Sequence, residues 1–145
     1  GIAAAVVSLT GGTVALWQQA KPEEELPNLT GSWTIEATIT DSDSQRYNGD
    51  TYVFEISVAQ DGARLTGSGI QSAYKGKQAS NKWRFEILGG TVDEDSVIIS
   101  YKVYSPDTYT GSLRLGYAHE QARELRGRFT SSVADQLGPA HVIIR

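Results

Sequence analysis

Trp33-Thr34-Ile35-Glu36-Ala37-Thr38-Ile39-Thr40 alternates apolar and polar side chains without a break. Successive residues of a strand point to opposite faces, so this pattern makes a strand with one buried and one wetted face; a helix would need its apolar residues three and four apart. The same period of two recurs along the chain. Tyr52, Phe54, Ile56 and Val58 interleave with Val53, Glu55, Ser57 and Ala59, and Trp83, Phe85 and Ile87 with Lys82, Arg84 and Glu86. Val97, Ile99, Tyr101 and Val103 follow, then Leu113, Leu115 and Tyr117, then Leu125, Gly127 and Phe129, and the chain ends on His141-Val142-Ile143-Ile144-Arg145. With a strand after the Asp61-Gly62 turn, the reading predicts eight strands at about 31–40, 51–60, 63–71, 81–89, 95–104, 109–117, 123–131 and 140–145.

The breaks are turn chemistry: Tyr47-Asn48-Gly49-Asp50, Asp61-Gly62, Gly89-Gly90, Asp93-Glu94-Asp95, Ser105-Pro106-Asp107 and Gly138-Pro139. Short connections make consecutive strands antiparallel neighbours. The fold class is therefore all-β. Strand spacing alone does not separate a barrel from a β-sandwich. An eight-stranded antiparallel up-and-down barrel is the simpler solution, because closure removes the sheet edges.

A short apolar segment precedes the barrel. Residues 1–18 carry no charge, and Trp17 stands just before Gln18, Gln19 and Lys21. A membrane span needs about 20 apolar residues. The run is slightly short of that. It reads either as the end of a transmembrane helix with Trp17 at the interface, or as a signal-peptide remnant or an apolar element packed on the barrel. Residues 19–28 hold two prolines and the triplet Glu23-Glu24-Glu25, and read as a linker. Residues 29–145 form the barrel. The chain has no methionine, not even at position 1, which points to a fragment or a processed form. Localisation follows the first segment: membrane-associated if 1–17 is a membrane element, soluble if it is not.

Composition narrows the chemistry. No cysteine is present, which removes disulfides, thiolate metal sites and a thiol nucleophile. A net charge of −4 argues against general affinity for a nucleic-acid polymer. The two histidines, His119 in a turn and His141 at a strand start, have no metal-ligand spacing, so no metal and no cofactor are expected. Asp41-Ser42-Asp43 begins like a calcium loop but lacks the glycine and the terminal glutamate, and reads as a turn. Gly67-Ser68-Gly69 precedes no helix, so it is no phosphate loop; small residues there let a barrel strand bend. Ser131 and Ser132 have no base nearby in sequence. The domain is expected not to be an enzyme.

Leu29-Thr30-Gly31-Ser32-Trp33 resembles the G-x-W opening of lipocalins and the wider calycin group. That resemblance implies a lipocalin-like barrel in which Gly31 and Trp33 close one end, with an arginine of the last strands, Arg128 or Arg145, across the tryptophan ring. Phe54, Asp61-Gly62 and Leu65-Thr66-Gly67 resemble the opening hairpin of avidins, without the later biotin-contacting tryptophans. Asp107-Thr108-Tyr109 departs in order from the lipocalin T-D-Y motif. The layout of apolar segment, linker and barrel also resembles the membrane-anchored, minimal-STING-like β-barrel effectors of bacterial antiphage defence. The stretches Tyr101–Tyr104 and Leu125–Phe129 share the rhythm of their late strands.

Three functions follow from these readings. The first is a non-enzymatic, membrane-tethered or soluble binding module for a small apolar or amphipathic ligand, lined by Trp33, Phe54, Trp83, Phe85, Tyr101, Leu115 and Tyr117. The second is a cyclic-nucleotide-sensing barrel, which needs Arg84, Arg114, Arg126 and Arg128 gathered at a mouth. Alternation puts all four opposite the apolar face, against an interior phosphate site. The third is a structural subunit with a filled barrel and a protein partner.

Overall fold

The computed structural model describes residues 26–75, 77–78, 81–118 and 123–145. The strands are β1 (Gly31–Thr38), β2 (Thr51–Asp61), β3 (Arg64–Tyr74), β4 (Lys77–Gln78), β5 (Arg84–Val92), β6 (Ser96–Tyr104), β7 (Tyr109–Tyr117), β8 (Glu124–Ser131) and β9 (Gln136–Ile144). All eight anticipated strands are present, and β4 is a two-residue extension hydrogen-bonded to β3 alone. The apolar segment 1–18, its membrane reading and the first part of the linker lie outside the described residues, as does His119. Among the described residues no helix is long and apolar enough to cross a membrane.

Every principal strand pairs antiparallel with its sequence neighbour, and β1 also pairs with β9, so the sheet closes into an eight-stranded up-and-down barrel. The seam runs from Trp33 opposite Ile144 to Ala37 opposite Ala140. At one rim it ends in a reciprocal pair of backbone bonds, Ser32 N–H to Arg145 O at 3.0 Å and Arg145 N–H to Ser32 O at 2.8 Å.

The last strand departs from the sequence reading. It begins at Gln136, four residues before the expected start, and runs through Pro139. Proline in a central strand removes a ladder donor. Here Leu137 N–H and Arg145 N–H both point toward the β1 side, so by alternation the missing N–H of Pro139 faces the same way. On that side the ladder is already interrupted. Three residues, Thr38 to Thr40, lie between the Ala37–Ala140 pair and the Asp41–Leu137 bridge, against two on β9. The bulge takes up the residue that cannot donate.

Inward positions carry the core, from Trp33, Ile35 and Ile39 on the first strand to Val142 and Ile144 on the last. Strands of a small barrel bend sharply, and inward glycines mark where one backbone approaches the next. A Cβ on Gly69 would lie 2.0 Å from the Glu55 carbonyl oxygen, and one on Gly127 1.9 Å from that of Arg114. The β2–β3 hairpin turns on Gly62 and Ala63, with Gly62 at φ 61°, as a two-residue turn opening on glycine needs.

Two predictions follow. Gly127→Ala is expected to destabilise the barrel by about 1–3 kcal/mol through overlap with backbone, lowering Tm by at least about 5 °C; an unchanged Tm in a thermal melt would show that the strands separate at no cost. Deleting residues 1–25 is expected to leave a β-sheet circular-dichroism spectrum and a cooperative melt, because closure uses only β1 to β9. A truncated chain that fails to fold would place the apolar segment in the barrel's own packing.

Candidate functional site

The two ends of the barrel differ. At the end carrying the N-terminus of β1 and the C-terminus of β9, the interior is shut. Leu29 is wholly buried and Trp33 is 1% exposed, with its indole Nε1–H donating to Leu29 O at 2.7 Å. Leu29 is fixed in turn by its N–H to Gln60 Oε1 at 2.8 Å. A Cβ on Gly31 would lie 2.3 Å from Arg145 O, so only glycine lets the opening of β1 pass so close to the chain end. Gly31 and Trp33 thus both lie at the closed end of the barrel.

Arg128 does not. It lies exposed on the outer wall, opposite Arg114 in the β7–β8 register, because its neighbours Gly127 and Phe129 take the inward side. Arg145 reaches the outward Thr34 Oγ1 at 3.0 Å. The link from the last strand to the opening segment is therefore made by the Arg145 backbone.

Of the residues expected to line a ligand cavity, Trp33 and Leu115 are core at the closed end, and Tyr117 donates its hydroxyl to Asp93 O at 2.6 Å on that rim. Phe54, Phe85 and Tyr101 fill the middle as packed rings, with centroids 4.9 Å apart for Phe54–Phe85 and for Phe85–Tyr101. Trp83 is half-buried just ahead of β5, its carbonyl accepting from Gln71 N–H at 2.9 Å. The seven residues therefore span the whole length of the interior.

The opposite end has another character. Tyr52, Tyr74, Tyr101 and Tyr109 converge there from four strands. The Tyr52 and Tyr74 rings lie 4.8 Å apart, and Tyr101 donates to Thr130 O at 2.9 Å. Every buried polar residue among those described (Gln71, Ser131 and Gln136) is on an inward position at this end. Tyr52 donates to Gln136 Oε1 at 3.0 Å. Among the described residues three buried polar atoms have no hydrogen-bond partner: Gln71 Oε1, Gln136 Nε2 and the Tyr109 hydroxyl. Gln71, Gln136 and Tyr109 are 3%, 1% and 8% exposed, so the bulk solvent does not serve them. Around the rim, Tyr74 donates to Asp50 Oδ2 at 2.8 Å, Lys75 Nζ lies 3.6 Å from the same oxygen, and Arg46 donates to the Tyr47 hydroxyl at 2.9 Å.

Burial pushes the hydroxyls of Tyr52, Tyr74, Tyr101 and Tyr109 above the usual phenol range. For Tyr74 the hydrogen bond to the Asp50 carboxylate adds to this, and for Tyr109 the adjacent Tyr52, Tyr101 and Tyr74 do. The four phenols are thus neutral, aromatic hydrogen-bonding groups at physiological pH.

The outer wall holds the charges. Arg84, Arg114, Arg126 and Arg128 are all exposed on it, and Arg84 and Arg126 pair with Glu86 and Glu124. His141 is also on this wall, its Nε2 2.5 Å from Glu124 Oε2. Among the described residues no three His, Cys, Asp or Glu side chains are grouped to hold a metal ion. One apolar spot, Leu88 and Ile98 at the β5 bulge, lines an outer groove of about 470 Å³ with Arg64 and Thr66.

The fold has a solved counterpart. The chain is similar to a structure described as a redesigned beta barrel, with a TM-score of 0.60 at 12% identity over 88% of this chain and 97% of that one. At that identity the likeness is one of fold. No protein-family model and no curated protein matches the chain.

Sequence reasoning missed Tyr52, Tyr74, Tyr109, Gln71 and Gln136 as site residues. Tyr52 stood in an alternating run that read as core. The glutamines are polar residues on inward positions: alternation from Leu65 puts Gln71 on the inward face, where its polarity was not singled out, while Gln136 opposes Ser131 in a part of β9 not anticipated as strand.

Raised phenol values have a defined sign. An unfolded chain ionises its tyrosines near pH 10, while the buried ones stay protonated higher, so their contribution to stability is complete below about pH 10 and is lost as pH rises toward the native values. In absorbance titration at 295 nm, at least Tyr74, Tyr101 and Tyr109 of the seven tyrosines should stay un-ionised at pH 11 until unfolding releases them. A single transition of all seven near pH 10 in the folded protein would contradict the buried cluster.

Proposed function

We propose that this barrel is a non-enzymatic binding module that takes a small amphipathic ligand at its tyrosine end. The observation that carries the reading is the gathering of three unpartnered, buried polar atoms at one end of a barrel whose other end is sealed. A buried donor or acceptor left unpaired costs about 1–3 kcal/mol. Three of them in one place are a standing cost that a bound molecule with matching groups offsets. Rings of Tyr52, Tyr74 and Trp83 supply apolar surface beside them.

Binding rather than catalysis fits the groups at hand. The four hydroxyls are held neutral, and amides neither give nor take protons near pH 7, so the site's residues suit recognition more than general acid–base work. The outward direction of the four arginines speaks against a phosphate-bearing nucleotide inside the barrel.

Tyr109→Phe separates this reading from that of a filled structural barrel. The variant removes a buried hydroxyl that has no partner, so its thermal stability should be equal to the parent's or higher. In native mass spectrometry after gentle purification, the parent should carry a small molecule that Tyr109→Phe and Gln71→Leu retain at less than half the level. His141→Ala, on the outer wall, should retain it fully. A parent that carries no ligand from any extract, with Tyr109→Phe simply more stable, would leave the barrel as a packed structural unit.

A further inference from the structure

We infer that the ligand of the tyrosine end is uncharged and bears both a hydrogen-bond donor and an acceptor, as a primary amide or lactam head group does. This rests on the binding reading above and concerns which chemistry the same end accepts. Gln71 Oε1 requires a donor, Gln136 Nε2 requires an acceptor, and the Tyr109 hydroxyl serves as either. Turning the Gln136 amide over exchanges its free nitrogen for a free oxygen, with Tyr52 still able to bond the other atom, so a head group that both gives and takes suits either orientation.

Charge is disfavoured by what surrounds these atoms. The buried polar residues are two amides and a serine, with no buried charged side chain among the described residues. The rim charges are already engaged: Asp50 by Tyr74 and Lys75, and Arg46 by Tyr47. Arg84 pairs with Glu86 on the outer wall, and Lys82 is exposed. Asp41, Asp43 and Asp135 lie exposed in the loops at this end, where Asp135 raises the pKa of Asp43 by repulsion, so an approaching anion meets negative charge. An anion entering here would shed its water without gaining a counter-ion, and a cation would find carboxylates only in the exposed loops and none among the buried residues.

Three probes of one shape test the inference: benzamide, benzoate and benzamidine at pH 7, titrated into the full chain and followed by backbone amide shifts in ¹⁵N NMR. Acetamide, acetate and acetamidine repeat the series at smaller size. Benzamide or acetamide should shift resonances of Gln71, Tyr109 and Gln136 and bind at least tenfold more tightly than the ions of its series. Tyr109→Phe, with an unchanged melt, should weaken that binding severalfold. If either ion binds this end as tightly as its amide, the neutral-ligand inference falls and the binding module stands. If none of the six probes shifts these residues, both fall together.

Discussion

The backbone ladder between the first and last strands holds this molecule in its shape. Without the β1–β9 seam the sheet would be an open ribbon with two exposed edges and an apolar face that cannot bury itself. Closing it demands that the last strand meet the first at atomic contact: a Cβ on Gly138 would lie 1.8 Å from the Thr38 carbonyl oxygen, and one on Gly31 2.3 Å from that of Arg145. Closure also demands curvature, which inward glycines at Gly69 and Gly127 supply by letting neighbouring backbones approach to distances no Cβ tolerates. Pro139 shows the same economy from the opposite direction. A residue unable to donate stands where the seam is interrupted by a bulge.

Closure gives the interior two unlike ends. The segment before β1 folds across one, and the Trp33–Leu29 bond makes that plug specific as well as apolar. The three packed rings of Phe54, Phe85 and Tyr101 then divide the interior, so the remaining inward polar groups lie on one side of a hydrophobic partition. A polar group in such a place is costly unless partnered. The concentration of glutamines, serine and tyrosine hydroxyls at a single end is a pattern that packing alone does not ask for, since apolar residues of similar volume would stabilise the barrel more.

Charge is sorted as strictly as polarity. Alternation sends the arginines outward, where two find carboxylates and Arg114 and Arg128 lie side by side in solvent. The outer wall thereby carries the arginines, and the buried polar groups at the tyrosine end are amides and hydroxyls. Arg128, which the family resemblance put across the tryptophan, is on the outer wall; the Trp33 indole N–H bonds the Leu29 carbonyl, and the last strand reaches Ser32 through the Arg145 backbone.

The period of two along Trp33–Thr40, Tyr52–Val58 and Val97–Val103 determined by itself that this is an all-β chain, which face of each strand is buried, and that Trp33 is core. Turn residues such as Asp61-Gly62 determined that neighbours in sequence are neighbours in space. Those are local properties, set by how a pleated backbone points its side chains. Tertiary structure alone decided the start of β9, because pairing with β8 and β1 overrides the proline that locally reads as a break. It alone decided that Gln71, Tyr109 and Gln136 share one end, because that depends on register across several strand pairs. A one-residue slip or a single bulge, as between Val53 and Phe54, moves a side chain from one face or level to another.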